Sequence, residues 1–563
     1  MQRFDLGEYT RRISTTSAEA QDWFDAGLNW CYAFNKAEGV NSFKKALEYD
    51  PQCVMAHWGM AYGSGPFYNL TWRDHGEREA NAATATAFKH IALARALVNK
   101  ATHVEARLIE AQACRIQKPH AVLPEEFDRW DDDYAAEMRR VHREYPDDAD
   151  VTALFVEALI TRTPRRLWDV KTGRPARNSD VLEALSICER GIDVVRLTGA
   201  QPNPALLHLH IHILETSNEP ERALASAAAL APLCPDGGHL NHMPAHVHML
   251  VGDYQSARQA SELAIAANDK FLACAGTLSP YTTACAHDLL LMMHACMFLG
   301  AYGDAIGAAG KLGGMVTENL LAVPDRPKFV TSLEGYNSMR THVLVRFGKW
   351  KEIIDEPMPA TPAAYPVTTA MLHYAKGVAH ATLRDFTAAE RERVLFLECV
   401  SRIPADRKVF NNTAKSILSV AESMLEGELA YHKGQYETAF AHLREAVSRD
   451  DGLEYVEPWA WMHPPRHALG ALLAEQGHFS EAESCYRADL GLSPGVQRCA
   501  QHPNNVWALQ GLVECLQVRG AVDELKDVEL RLSAAKALSD TTIAAACMCR
   551  TGSASNTGSK CCG

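Results

Sequence analysis

The chain has 563 residues, 47% of them hydrophobic, and a formal net charge of −13. A single hydrophobic core stops growing well below that length, so several domains or one elongated array of repeats is implied. The negative balance and the lack of basic clusters exclude a surface that tracks phosphates, so no nucleic-acid partner is expected.

No window of about 18 apolar residues is read, and the start MQRFDLGEYTRR has no apolar leader run, so a soluble cytoplasmic protein with no membrane partner is expected. Of the sixteen cysteines, Cys31, Cys188, Cys285, Cys296 and Cys399 fall inside apolar helical patterns. That fits reduced, buried thiols better than a disulfide framework.

In chain order, Ala-rich segments of helical period follow one another, separated by short Gly, Pro, Asn or Asp breaks, and strand signals are scarce. The predicted class is all-α. Within residues 1–70 the run DWFDAGLNWCYAFNKAEGVNSFKKALEYDP carries Trp23, Gly27, Trp30, Phe43, Ala46 and Pro51. Residues 71–203 are helical but off that period, with an irregular loop at KTGRPARNSD. Residues 204–320 are rich in histidine and keep weaker copies of the skeleton at Ala223, Ala257 and Ala305. Residues 321–540 hold another weak copy at Ala389 and two clear ones: Gly427, Ala439, Leu443 and Ala446, then Gly470, Ala482, Tyr486 and Pro494. Residues 541–563 place Cys547, Cys549, Cys561 and Cys562 among Gly and Ser, and read as a disordered tail able to collect soft metal ions.

A small residue followed twelve positions later by Ala, then by an aromatic or apolar residue, another Ala and often a closing Pro, resembles the tetratricopeptide repeat. The resemblance covers about two thirds of the chain. It implies a superhelical solenoid of antiparallel helix pairs, because a lone pair cannot bury its apolar stripes and must stack on its neighbours. The strings GHLNHMPAH at 238–246 and EPWAWMHPPR at 457–466 are similar to those of a microbial branch of tetratricopeptide-like proteins, a likeness that bears on fold rather than chemistry.

The most informative pattern is His208-x3-His212-x2-Glu215, followed 34 residues later by His242-x3-His246 with His239 just ahead. Thirty-four residues is one such repeat, so the two pairs share a register, and residues four apart share a helix face. With first helices beginning near Pro204, Gly238 and Ala286, the inward positions implied by the resemblance are Ala205, His208, His212 and Glu215; His239, His242, His246 and Met249; and His287, Leu290, His294 and Met297. His210 and His248 fall off that register. A lone helical histidine usually fills a satisfied polar niche, but residues 208–248 hold seven of the 24 histidines. Packed imidazoles without an ion would leave donors and acceptors mismatched.

A transition metal is therefore expected on His208, His212, His242 and His246, with His239 and His287 or His294 completing or doubling the site. No Cys occupies an inward position, so a closed structural zinc site does not fit. Mostly imidazole ligation ranks copper first, iron second and zinc third. Glu215 is either a ligand or a group that fixes a histidine tautomer and acts as a base toward bound water. Met243, Met249 and Met297 offer thioethers, although methionines at helical spacing mostly fill core.

Smaller signals remain. Glu457, His463 and Arg466 either close a substrate pocket or belong to an aromatic-proline turn between repeats. Asn504 or Asn505 caps a helix in HPNNVWALQGL. His57 and Trp58 precede a Gly-rich turn in AHWGMAYGSGPFYN. No nucleotide loop, Walker sequence, serine-hydrolase elbow or CxxC pair occurs. The function expected is a copper or iron oxidoreductase acting with dioxygen on a small organic molecule. The alternatives are a scaffold for a peptide or protein partner, and metal storage or delivery.

Overall fold

The computed structural model of the chain describes residues 4–324 and 326–550. It is all-α as expected: helices follow one another in antiparallel pairs, such as Ala18–Tyr32 with Lys36–Tyr49, Ala414–His432 with Tyr436–Asp451, and Pro465–Glu475 with Phe479–Asp489. The off-period stretch pairs in the same way, with His103–Arg115 against Pro124–Glu144 and Ala149–Thr161 against Val181–Thr198. Strand pairing among the described residues is confined to two-residue pieces and one isolated bridge, and one of the pieces pairs Trp168–Asp169 with Arg174–Pro175 at the start of the predicted irregular loop.

The repeated small residue has a steric cause. A Cβ placed on Gly27 would lie 2.6 Å from the Phe43 ring, on Gly427 2.7 Å from Leu443, and on Gly470 2.7 Å from Tyr486. In each pair the bulky residue of the second helix sits flat on the backbone of the first, sixteen positions earlier. Dense packing of that kind leaves no volume for a side chain.

The chain divides into two compact units. The first comprises Met1–Val247, Ala260–Cys285 and Val323–Lys328, and the second His248–Gln259, Ala286–Ala322 and Phe329–Gly563. The predicted first helices at 204 and 238 begin where expected, as Pro204–Leu214 and Gly238–Val251; the third begins earlier than expected, as Thr282–Leu299.

Two expectations need correction. The helix Thr282–Leu299 is, contrary to the sequence reading, long and apolar enough to cross a membrane by length and composition, but 83% of it is buried inside the protein, as in the core helix of a globular unit. The segment 541–550 is not a loose tail: Ile543, Ala545, Ala546 and Cys549 are buried, and Arg346 Nη2 donates to the Ala546 carbonyl at 2.5 Å. Small residues that look featureless in sequence here fill space between larger ones. Cys547 and Cys549 are joined as a disulfide, and Cys561 and Cys562 lie outside the described residues.

Candidate metal centre

The helix Pro204–Leu214 starts on Asn203, whose side chain accepts from the Leu206 N–H at 3.0 Å, with Pro204 in the first turn, where its missing N–H costs nothing. Every residue of this helix is buried, histidines included. It packs on the helices Ala149–Thr161, Val181–Thr198 and Ala18–Tyr32. The helix Gly238–Val251 brings the second set; a side chain at Gly238 would collide with Asn268 Oδ1 at 2.0 Å, so glycine permits that close approach.

His208, His212 and His239 each bring a ligating nitrogen within 4.8 Å of the other two, and all three are buried. Nitrogens bound to one ion at about 2.0–2.1 Å stand about 3–4 Å apart, so small side-chain adjustments close the set. The tautomers of two members follow from their partners. His208 Nδ1 lies 2.8 Å from the Tyr32 carbonyl, which only accepts, so Nδ1 carries the proton and Nε2 keeps a bare lone pair. His212 Nδ1 lies 3.2 Å from Glu215 Oε1, which fixes the same tautomer. Neither Nε2 has a hydrogen-bond partner in the protein.

Burial, then the adjacent His212 imidazole, holds the His208 pKa well below its usual value, and burial likewise lowers His212. Both rings are neutral, the form that ligates metals. Burial alone would raise the Glu215 pKa, but the imidazoles of His212 and then His246 outweigh it and keep the carboxylate below its usual range. Glu215 spans the two helices, with Oε1 on His212 and Oε2 2.9 Å from His246 Nδ1.

The geometry regroups the expected ligands. His239, expected to complete a set led by the two i, i+4 pairs, sits with His208 and His212, whereas His242 and His246 face each other with their Nε2 atoms 2.7 Å apart. His210 points away to Ser226 Oγ at 2.8 Å, in keeping with its off-register position. His57 is bonded to His90 Nδ1 at 2.9 Å.

Sequence reasoning missed the aromatic cover. Phe34 stacks on His212 and His239 at centroid distances of 5.6 and 5.2 Å and lies 4.3 Å from His208. Its φ of 56° is the left-handed turn that follows a helix, taken at the same place by Arg384 and Gly434 in other helix pairs. Tyr68, from the Gly-rich string AHWGMAYGSGPFYN, lies 4.7 Å from His212. That string was the available signal, although it pointed to His57 rather than to the aromatics behind it.

The second unit holds the other predicted histidines. His287 is half-buried, 6.4 Å from the Tyr336 ring, and His294 packs 4.6 Å from Phe298 with its hydrogen bond to the Met462 backbone. His463, in the EPWAWMHPPR turn, meets His342 with Nδ1 atoms 2.9 Å apart, and both rings pack on Trp461. Next to them Arg346 Nη1 lies 2.9 Å from His467 Nδ1, His467 Nε2 is 2.7 Å from Asp489 Oδ2, and His502 Nδ1 is 2.8 Å from Asp489 Oδ1. Asn505 caps its helix as predicted, accepting from the Ala508 N–H at 2.9 Å.

No protein-family model matches the chain, and no curated protein matches it significantly. Among solved structures, a chain of the APC/C hetero-tetramer Cut9–Hcn1 is 12% identical, matched over 93% of this chain and 77% of that one at a TM-score of 0.29. Human IFIT1, in a dimer with PPP-AAAA, is 10% identical over 90% and 88% at 0.30, and yeast Tom70 is 11% identical over 92% and 93% at 0.24. The class of this protein, an all-α chain of sequential antiparallel helix pairs with buried histidine clusters able to hold a metal, rests on its own helices and side chains.

Proposed function

We propose that the first unit holds a transition-metal ion on the Nε2 atoms of His208 and His212 together with the imidazole of His239. The carrying observation is that His208, His212 and His239 each bring a ring nitrogen within 4.8 Å of the other two, and that the Tyr32 carbonyl and Glu215 set tautomers that leave Nε2 of His208 and His212 bare. Neutral, desolvated imidazoles suit copper first, then iron, then zinc. Glu215 is the positioning residue: it retains the Nδ1 proton of His212 and ties the two helices, a role carboxylates commonly play behind metal-bound histidine. Phe34 and Tyr68 exclude water. An ion held by His208, His212 and His239 would supply redox chemistry toward dioxygen and a small organic molecule.

The same burial favours a second reading. His208, His212 and His239 are 1%, 3% and 4% exposed, which suits an ion held for storage or delivery as well as one that turns over substrate. Plasma mass spectrometry on protein produced with copper, iron and zinc present tests the shared premise: about one ion per chain in wild type and a loss of loading in His208→Ala and His212→Ala. Undiminished loading in both variants removes the site. Oxygen uptake by the loaded protein with candidate metabolites then separates turnover from storage.

A further inference from the structure

The first unit contains a cavity of about 1000 Å³ to which the histidine cluster contributes nothing. One wall is aromatic: Phe4 lies 5.3 Å from the Trp30 ring and 6.2 Å from Phe271, and Trp30 lies 6.0 Å from Phe271. Its charged lining is mostly acidic, with Glu8, Glu19, Asp22, Asp25, Glu38 and Glu48 against only Lys44 and Lys45. Asn29 also lines it, is 2% exposed, and donates through Nδ2 to the Tyr9 carbonyl at 2.9 Å, while its buried Oδ1 has no hydrogen-bond partner. A buried acceptor left in that state costs about 1–3 kcal/mol unless something outside the chain donates to it.

Acceptors, carboxylates and aromatic faces together select a ligand rich in N–H donors and positive charge. The chain's own Lys270 ammonium already lies 5.6 Å from the Phe4 ring centroid, so this wall tolerates a cation. The volume stands at the upper end of small-molecule sites, with room for several residues of a peptide.

We propose that this cavity binds a basic peptide segment of a partner protein. A lysine or arginine side chain lies along the aromatic wall, its charge is met by the carboxylates, and a peptide N–H donates to Asn29 Oδ1. Carboxylates at a rim set partner choice and association rate through complementary charge.

Calorimetry with a synthetic heptapeptide of alternating lysine and leucine, and with its glutamate counterpart, provides the test. The lysine peptide is expected to bind the full chain, more weakly as salt rises, and the glutamate peptide not to bind. Asp22→Lys with Glu48→Lys should weaken binding about tenfold or more, whereas Asp527→Lys with Glu529→Lys, an identical change in net charge on the helix Val522–Lys536, should leave it within about twofold. Circular dichroism confirms that both variants keep their helices. Binding of the glutamate peptide, no binding of the lysine peptide, or equal weakening by the two charge reversals each overturns the proposal, the last by reducing the effect to diffuse attraction.

Discussion

The histidine clusters of the two units have the same residue type and the same depth of burial, yet they offer a cation opposite environments. In the first, a backbone carbonyl and a carboxylate take the Nδ1 protons of His208 and His212, leaving Nε2 bare, and the two rings gather with His239. In the second, His342 and His463 meet through their Nδ1 atoms and also keep unpartnered Nε2 atoms, but among the described residues no third ligand joins them, and His467 and His502 are held on Asp489. Arg346 stands beside them. Since a guanidinium only donates, its bond fixes His467 Nδ1 as the acceptor and Nε2 as the donor to Asp489. Burial alone would raise the Asp489 pKa, but His467 and His502 hold it far below the carboxylate range. The His463 pKa is lowered by burial first, then by His342 and the Arg346 charge, which would repel a bound cation as well. Burial, composition and a bare nitrogen do not make a metal site; how many ligand atoms gather, and what charge stands near them, does.

The largest expected effect tests that contrast directly. His208→Ala or His212→Ala should abolish metal loading, whereas His342→Ala and His463→Ala should retain it, read by plasma mass spectrometry after dialysis. Loss of loading in the second-unit variants would break the comparison. Next in size, Arg346→Met strands the His467 acceptor and the Ala546 carbonyl and removes a guanidinium 3.9 Å from the Trp507 ring centroid. It should lower unfolding stability by about 2–3 kcal/mol in a denaturant titration without changing metal content.

Glu215→Gln should weaken metal affinity about 10–100-fold in competition with a chelator, short of abolition, because the amide still accepts from His212 but carries no charge. An unchanged affinity would show that Glu215 does not set the ligand. The smallest effect per step, taken one pH unit at a time, is a pH dependence. Burial lowers the His342 pKa to about 3, so below about pH 6.5 the unfolded chain takes up a proton that the fold refuses. Stability from this group is complete above about pH 6.5 and falls as pH drops toward 3, by at most about 1.4 kcal/mol per unit. His342→Leu should flatten that acid limb in thermal melts of metal-free protein, and an unaltered slope would place the titration elsewhere.

The helix pairs were legible because their cause is local. Gly27 and Phe43, Gly427 and Leu443, and Gly470 and Tyr486 sit at one spacing, and each bulky ring or branch needs a bare backbone beneath it. The candidate ligands were legible by register. The partition among them was not: spacing on one helix places His242 and His246 on the same face but does not say that their Nε2 atoms meet at 2.7 Å while His239 joins His208 and His212. Phe34 had no sequence signal at all, because its role depends on a left-handed backbone at a helix end and on helices more than 160 residues away in the chain.

By itself the amino-acid sequence determined the all-α class, the helix starts at Pro204 and Gly238, and the concentration of imidazoles there, because periodicity, caps and steric pairing act over a few turns of chain. Tertiary structure alone decided which of those imidazoles gather, what covers them and which nitrogen each presents. Those properties depend on the Tyr32 carbonyl, on Glu215 and on the Phe34 ring, partners whose distance in space the chain order does not encode.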